Sequence, residues 1–290
     1  MPRENLQQEN FSSRDTFPWI SLQKKLMTSQ NIVILTGDDL RHQFFIHHLK
    51  AGFSISGIFI EKGSFPEPKP RSKDESIAWD WFFKGREDYE KKLVRDSGKL
   101  LSKNKPEITY LAKDELNSPQ TIAKIKKMEP NFIAVFGTSI LSQPFLNKFP
   151  QKLFNLHLGD PEFYRGSSCN FWPILDKKLH HLSATIHRID QGIDTGEIFS
   201  KQTIIITEED NEQTLVLKPL ILGTKLMLNT LNKLQKRPLQ TITQNKMGKL
   251  YKKADFTPEA VLRMKQMVES ESLTSLIQEE MNRTMMISKV

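Results

Sequence analysis

Short apolar runs alternate with amphipathic stretches along the chain, and this alternation predicts an α/β protein. Residues 31–36 form a β-branched apolar run, which is typical of a buried strand. A helix is predicted over 40–52, because Phe45 and Leu49 recur at helical spacing and a glycine ends the stretch. Residues 55–60 predict a second strand. A strand, a helix and a strand within thirty residues form a βαβ unit with parallel strands.

The same alternation continues downstream and fixes the expected fold class. Further strands are predicted at 108–111, 131–137, 153–158, 183–190 and 197–206, and further helices at 118–128, 143–149, 170–178, 212–234 and 258–269. Pro219 indicates either a helix start or a kink within the 212–234 helix. The residues after 269 are expected to be a polar tail. The pattern predicts a mainly parallel central sheet flanked by helices.

The pattern also divides the chain. Residues 1–30 are polar and aperiodic, and we interpret them as an N-terminal extension. Residues 31–235 form the predicted catalytic domain, with a helical insertion at 63–106 that is too long for a simple connection. The aromatic cluster at 79–83 is expected to form the core of that insertion, and a nucleotide-stacking surface is the alternative. Residues 236–290 form a short basic C-terminal extension.

Composition narrows the class of protein. Of 290 residues, 38% are hydrophobic and 26% are charged, with a mean hydropathy of −0.47, which is ordinary for a soluble globular protein. No apolar run approaches the ~18 residues of a membrane span, and the first thirty residues lack the apolar core of a signal peptide. We therefore expect a cytoplasmic protein without a membrane partner. Because Cys169 is the only cysteine, an intramolecular disulfide framework and a multi-cysteine zinc site are excluded.

The net charge of +8 is concentrated near the C-terminus. Residues 224–265 contain ten lysines and arginines but only two acidic residues, so the rest of the chain is nearly neutral. Such a region favours an anionic partner, which could be nucleic acid, a nucleotide-linked substrate or a phosphate. The alternative interpretation is a solvated face around a helix.

Candidate chemistry is concentrated between residues 154 and 196. Asn155 and His157 are two positions apart on a predicted strand, so their side chains share one face near its carboxyl end, where α/β sheets bind ligands. Asp194 lies in a glycine-flanked turn at 192–196. Each feature alone is weak, since a strand histidine is often a core residue and aspartate is common in turns. No G-x-G-x-x-G follows the first strand, which disfavours a dinucleotide-binding dehydrogenase.

Taken together in this order, these features resemble the folate-dependent formyltransferases, a family that includes glycinamide ribonucleotide, methionyl-tRNA and sugar N-formyltransferases. The resemblance runs from residue 31 to 234 and is strongest over 130–206. Asn155-Leu-His157 matches the family's N-x-H motif, and the 192–196 turn matches the loop that carries its aspartate. The resemblance implies a Rossmann-like formyltransferase fold and 10-formyltetrahydrofolate as co-substrate.

Formyl transfer to an amine passes through a tetrahedral oxyanion, and the three matched side chains suit that chemistry. Asn155 can donate an N–H to the oxyanion, and loss of such a donor typically costs ~10²–10³ in rate. His157 can shuttle a proton between the two nitrogens, and Asp194 can orient the imidazole and stabilise its charged form. Neither a metal nor a covalent nucleophile is required. Cys169 is expected to be structural, and so are the histidines outside the motif, or else they lie at the surface: His42, His47, His48, His180, His181 and His187.

The resemblance also implies binding residues. Those expected to contact the folate are Phe136, Ser139, Ile140, Leu141, Asp190, Gly192 and Ile193. Those expected to contact the acceptor are Tyr164, Arg165, Gly166 and Asn170. Arg165 could bind a phosphate or stack on a ring, or it could simply hold the loop by bonding backbone carbonyls.

The acceptor is expected to be a nucleotide-linked amino sugar. Residues 158–162 depart from the Pro-Ser-Leu-Leu-Pro-like stretch of many family members, and residues 164–174 look like the members that act on amino sugars. A methionyl-tRNA formyltransferase is the alternative, although its C-terminal β-barrel is longer than the 56 residues that follow Leu234. A folate-binding relative without turnover is a second alternative. A nucleic-acid-binding protein is a third, but Tyr251 is the only aromatic residue in the basic stretch at 236–253. The expected assembly allows a homodimer.

Overall fold

A seven-stranded sheet organises the chain in the computed structural model, which describes residues 31–63 and 68–287. The sheet order is β3-β2-β1-β4-β5-β7-β8, in which the first five strands are parallel, β7 runs antiparallel to β5, and β8 runs antiparallel to β7. The strands are β1 (Ile32–Gly37), β2 (Ile55–Glu61), β3 (Glu107–Leu111), β4 (Phe132–Phe136), β5 (Leu153–His157), β6 (Tyr164–Gly166), β7 (Ser183–Arg188), β8 (Ile198–Thr203) and β9 (Lys249–Tyr251). The mainly parallel sheet expected from the sequence is confirmed, and the predicted strand ends differ by up to three residues.

The helices lie on both sides of the sheet and around its carboxyl edge. They are α1 (Leu40–Gly52), α2 (Lys73–Ser97), α3 (Pro119–Lys127), α4 (Gln143–Lys148), α5 (Trp172–Leu175), α6 (Glu212–Leu234), α7 (Pro258–Glu269) and α8 (Ser272–Ile287). The predicted bounds of α1, α6 and α7 are confirmed. Local capping explains part of this success: the Asn211 side chain accepts hydrogen bonds from two N–H groups in the first turn of α6, and Thr257 caps α7.

Two helix predictions are wrong. The helix expected over 170–178 is limited to α5, because Lys177 adopts a left-handed φ of 56° and turns the chain. The polar tail expected after residue 269 contains α8 instead. Leu273 and Ile277 recur at helical spacing on α8 and are 3% and 4% exposed, so an apolar stripe was present in the sequence.

Two hydrophobic cores cover the two faces of the sheet. On β1, Ile32 and Ile34 face the core formed with α1 and α6, whereas Val33 and Leu35 face the core beneath α3 and α4. Burial on both faces explains why the central strands are continuous apolar runs rather than alternating ones.

A third apolar cluster joins α2 to the C-terminal helices. Phe82 on α2 is 1% exposed and its ring lies 5.7 Å from that of Phe171 and 6.2 Å from that of Phe256. The expected core role of the aromatic run at 79–83 is therefore confirmed for Phe82. The division into extension, catalytic domain and C-terminal extension stays a prediction, and the expected extension at 1–30 lies outside the described residues.

Among the described residues, α6 alone has the length and composition to cross a membrane. However, 61% of its apolar stretch is buried inside the protein, where it packs against α1, β5 and β7. Pro219 lies inside this helix. The close approach of α6 to the sheet centres on Gly223, where a Cβ atom would lie 2.2 Å from Leu156 Cδ1.

We expect Gly223→Ala to lower the free energy of unfolding by up to about 2 kcal/mol. Alanine gains ~1 kcal/mol of helix propensity over glycine, but forcing a methyl group against the Leu156 and Ala184 side chains costs ~1–3 kcal/mol. The control is Gly63→Ala after β2, where a Cβ atom would meet nothing closer than the Asp38 carboxylate oxygen at 3.5 Å. Urea denaturation should show a loss for the first variant and no loss for the second; equal stability of the two would contradict tight packing at Gly223.

Candidate active site

The site is built where β5, β7 and the loop before β8 meet. Asn155 and His157 share one face of β5, and the antiparallel partner β7 sets His187 directly opposite Asn155. The loop at 190–196 then returns Asp194 to the same place. The structure thus brings together the three side chains expected to be catalytic, and adds His187 to them.

Asp194 is the centre of the cluster. Its Oδ2 accepts a hydrogen bond from the Gly166 N–H at 2.7 Å and lies 3.3 Å from His157 Nδ1. Its Oδ1 lies 3.3 Å from His187 Nε2 and 3.4 Å from Asn155 Nδ2. Burial raises the pKa of Asp194, but the two histidines and the Gly166 N–H outweigh it, and the net pKa lies well below the usual range. The carboxylate is therefore held ionised.

The His157 ring is fixed at both nitrogens. Its Nε2 lies 2.9 Å from the Tyr164 carbonyl oxygen, which can only accept, so Nε2 is the donor. Its Nδ1 faces the Asp194 carboxylate. A ring with protons on both nitrogens would donate to both acceptors. Transfer to a substrate nitrogen requires one of the two contacts to open.

His187 was expected to be structural or at the surface, and the structure places it in the cluster. Its Nδ1 lies 2.8 Å from the Arg188 carbonyl, which fixes that nitrogen as the donor. Its Nε2 lies 3.0 Å from Asn155 Nδ2 and 3.3 Å from Asp194 Oδ1, between an amide donor and a carboxylate acceptor. The sequence carried only the alternating pattern of the strand; the pairing of β7 with β5 was the missing information.

Asn155 uses its amide N–H groups within the protein. One points to His187 and the other, more weakly, to Asp194. Donation to an oxyanion therefore requires Asn155 to exchange one of these partners for the ligand.

The residues expected to bind folate lie in two groups, one at 136–141 and the other at 190–193. Ile140 is 71% exposed, while Phe136 and Leu141 are buried. Both the N–H and the Oγ–H of Ser139 donate to the buried Glu61 carboxylate, at 2.7 and 2.9 Å. In the second group, Asp190 Oδ1 accepts from the Gly192 N–H and from Thr195 Oγ1, and the Ile193 carbonyl accepts from Arg165.

The residues expected to bind the acceptor lie between 164 and 170, and most of them form hydrogen bonds within the protein that hold this loop in place. Tyr164 is buried and donates a hydrogen bond to Asp176 Oδ2. Burial is the larger cause, and the Asp176 carboxylate the smaller one, of the raised pKa of its phenol. Arg165 donates to the Gly248 and Ile193 carbonyls at 2.9 and 3.1 Å. Asn170 donates to the Val216 carbonyl at 2.7 Å. These contacts support the alternative interpretation of Arg165 as a residue that pins the loop.

Cys169 lies beside this loop as a buried thiol. Burial, reinforced by the nearby Asp194 carboxylate, raises the pKa of the Cys169 thiol well above its usual range. A protonated, buried thiol is a poor nucleophile, in agreement with the expected structural role. Within residues 31–63 and 68–287, no group of three or more His, Cys, Asp or Glu side chains has an arrangement suited to a metal ion.

The chain matches a known family and several curated sequences. A family described as "Formyl transferase" matches residues 84–231, just over half of the chain. Methionyl-tRNA formyltransferase from Thermodesulfovibrio yellowstonii is 31% identical over 125 residues, which is 42% of this chain and 40% of that protein. Its counterpart from Caldanaerobacter subterraneus is 31% identical over 124 residues, with the same coverage. The chain thus spans less than half the length of these curated relatives.

Solved structures share the fold at low identity. A sugar N-formyltransferase from Shewanella sp. has a TM-score of 0.53 at 14% identity, covering 82% of this chain and 88% of that one. A 4-N formyltransferase from Francisella tularensis has a TM-score of 0.52 at 14% identity, covering 81% and 86%. Phosphoribosylglycinamide formyltransferase from Anaplasma phagocytophilum has a TM-score of 0.50 at 11% identity, covering 78% and 100%.

We expect Asp194→Asn to flatten the dependence of folding stability on acidic pH. The pKa of Asp194 is lower in the folded than in the unfolded chain, so its ionisation stabilises the fold above about pH 4, and this contribution is lost as the pH falls further. Removing one such group should reduce the slope by up to ~1.4 kcal/mol per pH unit between about pH 4 and 2. Chemical denaturation at stepped pH measures it, and parallel slopes for the two proteins would contradict the depressed pKa.

We expect Arg165→Ala to lower the free energy of unfolding by about 1–3 kcal/mol, because two hydrogen bonds to carbonyls are lost, each worth ~0.5–1.5 kcal/mol. The exposed Arg237→Ala is the control for loss of one positive charge. Thermal and urea denaturation compare the two. A stability unchanged from wild type would return Arg165 to the acceptor-binding role.

Proposed function

The chain belongs to the formyl transferase family, and we propose that it transfers a formyl group from 10-formyltetrahydrofolate to the primary amine of a nucleotide-linked amino sugar. The observation that carries the proposal is the convergence of Asn155, His157 and Asp194 within 3.3–3.4 Å contacts at the sheet edge. A hydrogen-bond donor, an imidazole and a carboxylate in one cluster are what acyl transfer between two nitrogens needs.

The proposed reaction proceeds by direct attack. The amine lone pair forms a bond to the formyl carbon, and the carbonyl oxygen becomes an oxyanion. The attacking nitrogen loses a proton and N10 of the folate gains one, after which the bond from carbon to N10 breaks. The products are an N-formyl acceptor and tetrahydrofolate, and no net proton is consumed.

Each side chain of the cluster has a role in this scheme. Asn155 donates an N–H to the oxyanion after exchanging its contact with His187 or Asp194. His157 carries the proton between the two nitrogens, and Asp194 holds the ring through Nδ1 and stabilises its charged form. His187 keeps the Asn155 amide in place until the ligand arrives.

The folate is proposed to bind between the 136–141 segment and the 190–194 loop. Ile140 offers exposed apolar surface there. Asn117 holds this segment from below, because its Nδ2 donates to the Ile140 carbonyl at 2.9 Å and its Oδ1 accepts from the Ser142 N–H at 2.7 Å. Such a braced segment supports binding of a flat ring without rearrangement.

Two lysine side chains near the loop at 158–163 support the proposal of an anionic acceptor. Lys246 lies with its Nζ 3.5 Å from the centre of the Phe163 ring, and Lys249 lies 4.4 Å from that of Tyr251. Both lysines have exposed side chains. A diphosphate is a ligand that such ammonium groups can bind as point charges. The resemblance of residues 164–174 to enzymes acting on amino sugars supports the same class of acceptor.

A second candidate is methionyl-tRNA formylation, because the curated relatives carry that name. The two candidates are separated by incubating the protein with 10-formyltetrahydrofolate and either a panel of nucleotide-linked amino sugars or charged initiator tRNA. Mass spectrometry should show the gain of one formyl group on a sugar nucleotide. Formylation of the tRNA alone would replace the first candidate by the second, and no product in either arm would contradict both.

We expect His157→Ala and Asp194→Ala each to reduce kcat by at least ~10², because the proton shuttle or its orienting carboxylate is lost. His180→Ala is the control, since this ring lies outside the site and contacts Glu280. Steady-state kinetics and circular dichroism should show folded proteins with impaired turnover only in the first two. Near-normal turnover in either variant would remove that residue from the mechanism.

A further inference from the structure

A segment at 242–251, here called the tether, runs beside the active site and lies outside the region matched by the family. Ile242 forms a two-bond antiparallel bridge with Ile198, at 2.9 and 2.8 Å, just after the loop that carries Asp194. The tether is thereby fixed to the start of β8, within reach of that loop.

The other end of the tether is fixed to the loop that follows β5, at residues 161–163. The N–H groups of Gly248 and Lys249 donate to the carbonyls of Pro161 and Phe163, both at 3.0 Å. β9 then continues as the parallel partner of β6. The tether therefore spans the two loops whose residues converge on the Asp194 carboxylate.

Gln244 is the tether residue that reaches the Asp194 loop directly. Its Nε2 donates to the Asp194 carbonyl and to the Gly196 carbonyl, both at 2.8 Å. Since two carbonyls can only accept, the amide orientation is fixed with the NH₂ group toward the loop. Its Oε1 is buried and has no hydrogen-bond partner among the described residues, so the side chain acts only as a donor.

The Asp194 loop needs such an external contact. Asp194 adopts a left-handed φ of 55°, which costs a non-glycine residue of order 1–3 kcal/mol. The loop is exposed at Asp190 and Gly192, so packing cannot impose this conformation there. Apart from the Asp190 contacts inside the loop, its backbone is held by Gln244 and by the bond from Arg165 to the Ile193 carbonyl.

We propose that Gln244 is a positioning residue for the active site, which keeps the Asp194 carboxylate in contact with His157 by holding the loop backbone from the tether. The kinetic consequence rests on the proposed function, whereas the structural consequence does not. A displacement of about 1 Å at a catalytic group can cost ~10²-fold in rate, so two hydrogen bonds far from the substrate can affect turnover.

The test compares Gln244→Met, which keeps the side-chain length and removes both donors, with the adjacent exposed Thr243→Ala as control. Gln244→Met should reduce kcat by ~10–100-fold, with the KM for both substrates within about threefold. Gln244→Lys, which retains N–H donors, should recover most of the activity. In an Asp194→Asn background, Gln244→Met should lower kcat by less than about a further threefold, because no carboxylate remains to be positioned.

A second readout needs no substrate and separates failure of this inference from failure of the proposed function. In the free protein, the carboxyl ¹³C resonance of Asp194 should stay in its ionised position down to about pH 3, because its pKa is depressed by the surrounding donors. In Gln244→Met the loop relaxes, and a titration step should appear above that pH, while Thr243→Ala should match the wild type. An unchanged titration in Gln244→Met, or equal losses of kcat with and without the Asp194 carboxylate, would overturn the proposal even if formyl transfer is established.

Discussion

The burial of one ionised carboxylate is the constraint on which the site depends. A charge removed from water costs several kcal/mol unless hydrogen bonds and opposite charges surround it. Asp194 meets this condition with partners from three places: His157 on β5, His187 on β7 and the Gly166 N–H on β6. Because each strand contributes one partner, the carboxylate fixes their relative positions, and disturbing any one of them exposes the same penalty.

The sheet topology explains how such a cluster can form at the carboxyl edge. β5 is the last of the five parallel strands, and its antiparallel pairing with β7 sets His187 opposite Asn155. A parallel β7 would bring its carboxyl end to this edge instead and would change which residue faces Asn155. The antiparallel pairing therefore puts a second imidazole within 3.3 Å of the Asp194 carboxylate.

Local sequence signals predicted much of the fold and of the candidate site. The features that the sequence did not predict depend on contacts between residues that are distant in sequence. Helices α1, α6 and α7 follow from periodicity and caps within a few residues, and the shared face of Asn155 and His157 follows from the pleat. His187 and Gln244 could not be found in this way. Their roles depend on contacts with residues 32 and 50 positions away, and nothing in their immediate neighbours distinguishes them from an ordinary strand or turn residue.

The same contacts shift the question of acceptor choice. Tyr164 donates a hydrogen bond to Asp176, Arg165 to backbone carbonyls, and Asn170 to the Val216 carbonyl. These side chains therefore stabilise the conformation of the loop. Groups that are already bonded inside the protein discriminate poorly between ligands, because binding must first break those bonds. The exposed Lys246 and Lys249 on the tether contact ring faces through their ammonium groups, and such a contact can persist while the ammonium group binds an anion. If the acceptor carries a diphosphate, the two tether lysines are better placed to bind it than the residues at 164–170 that the sequence indicated.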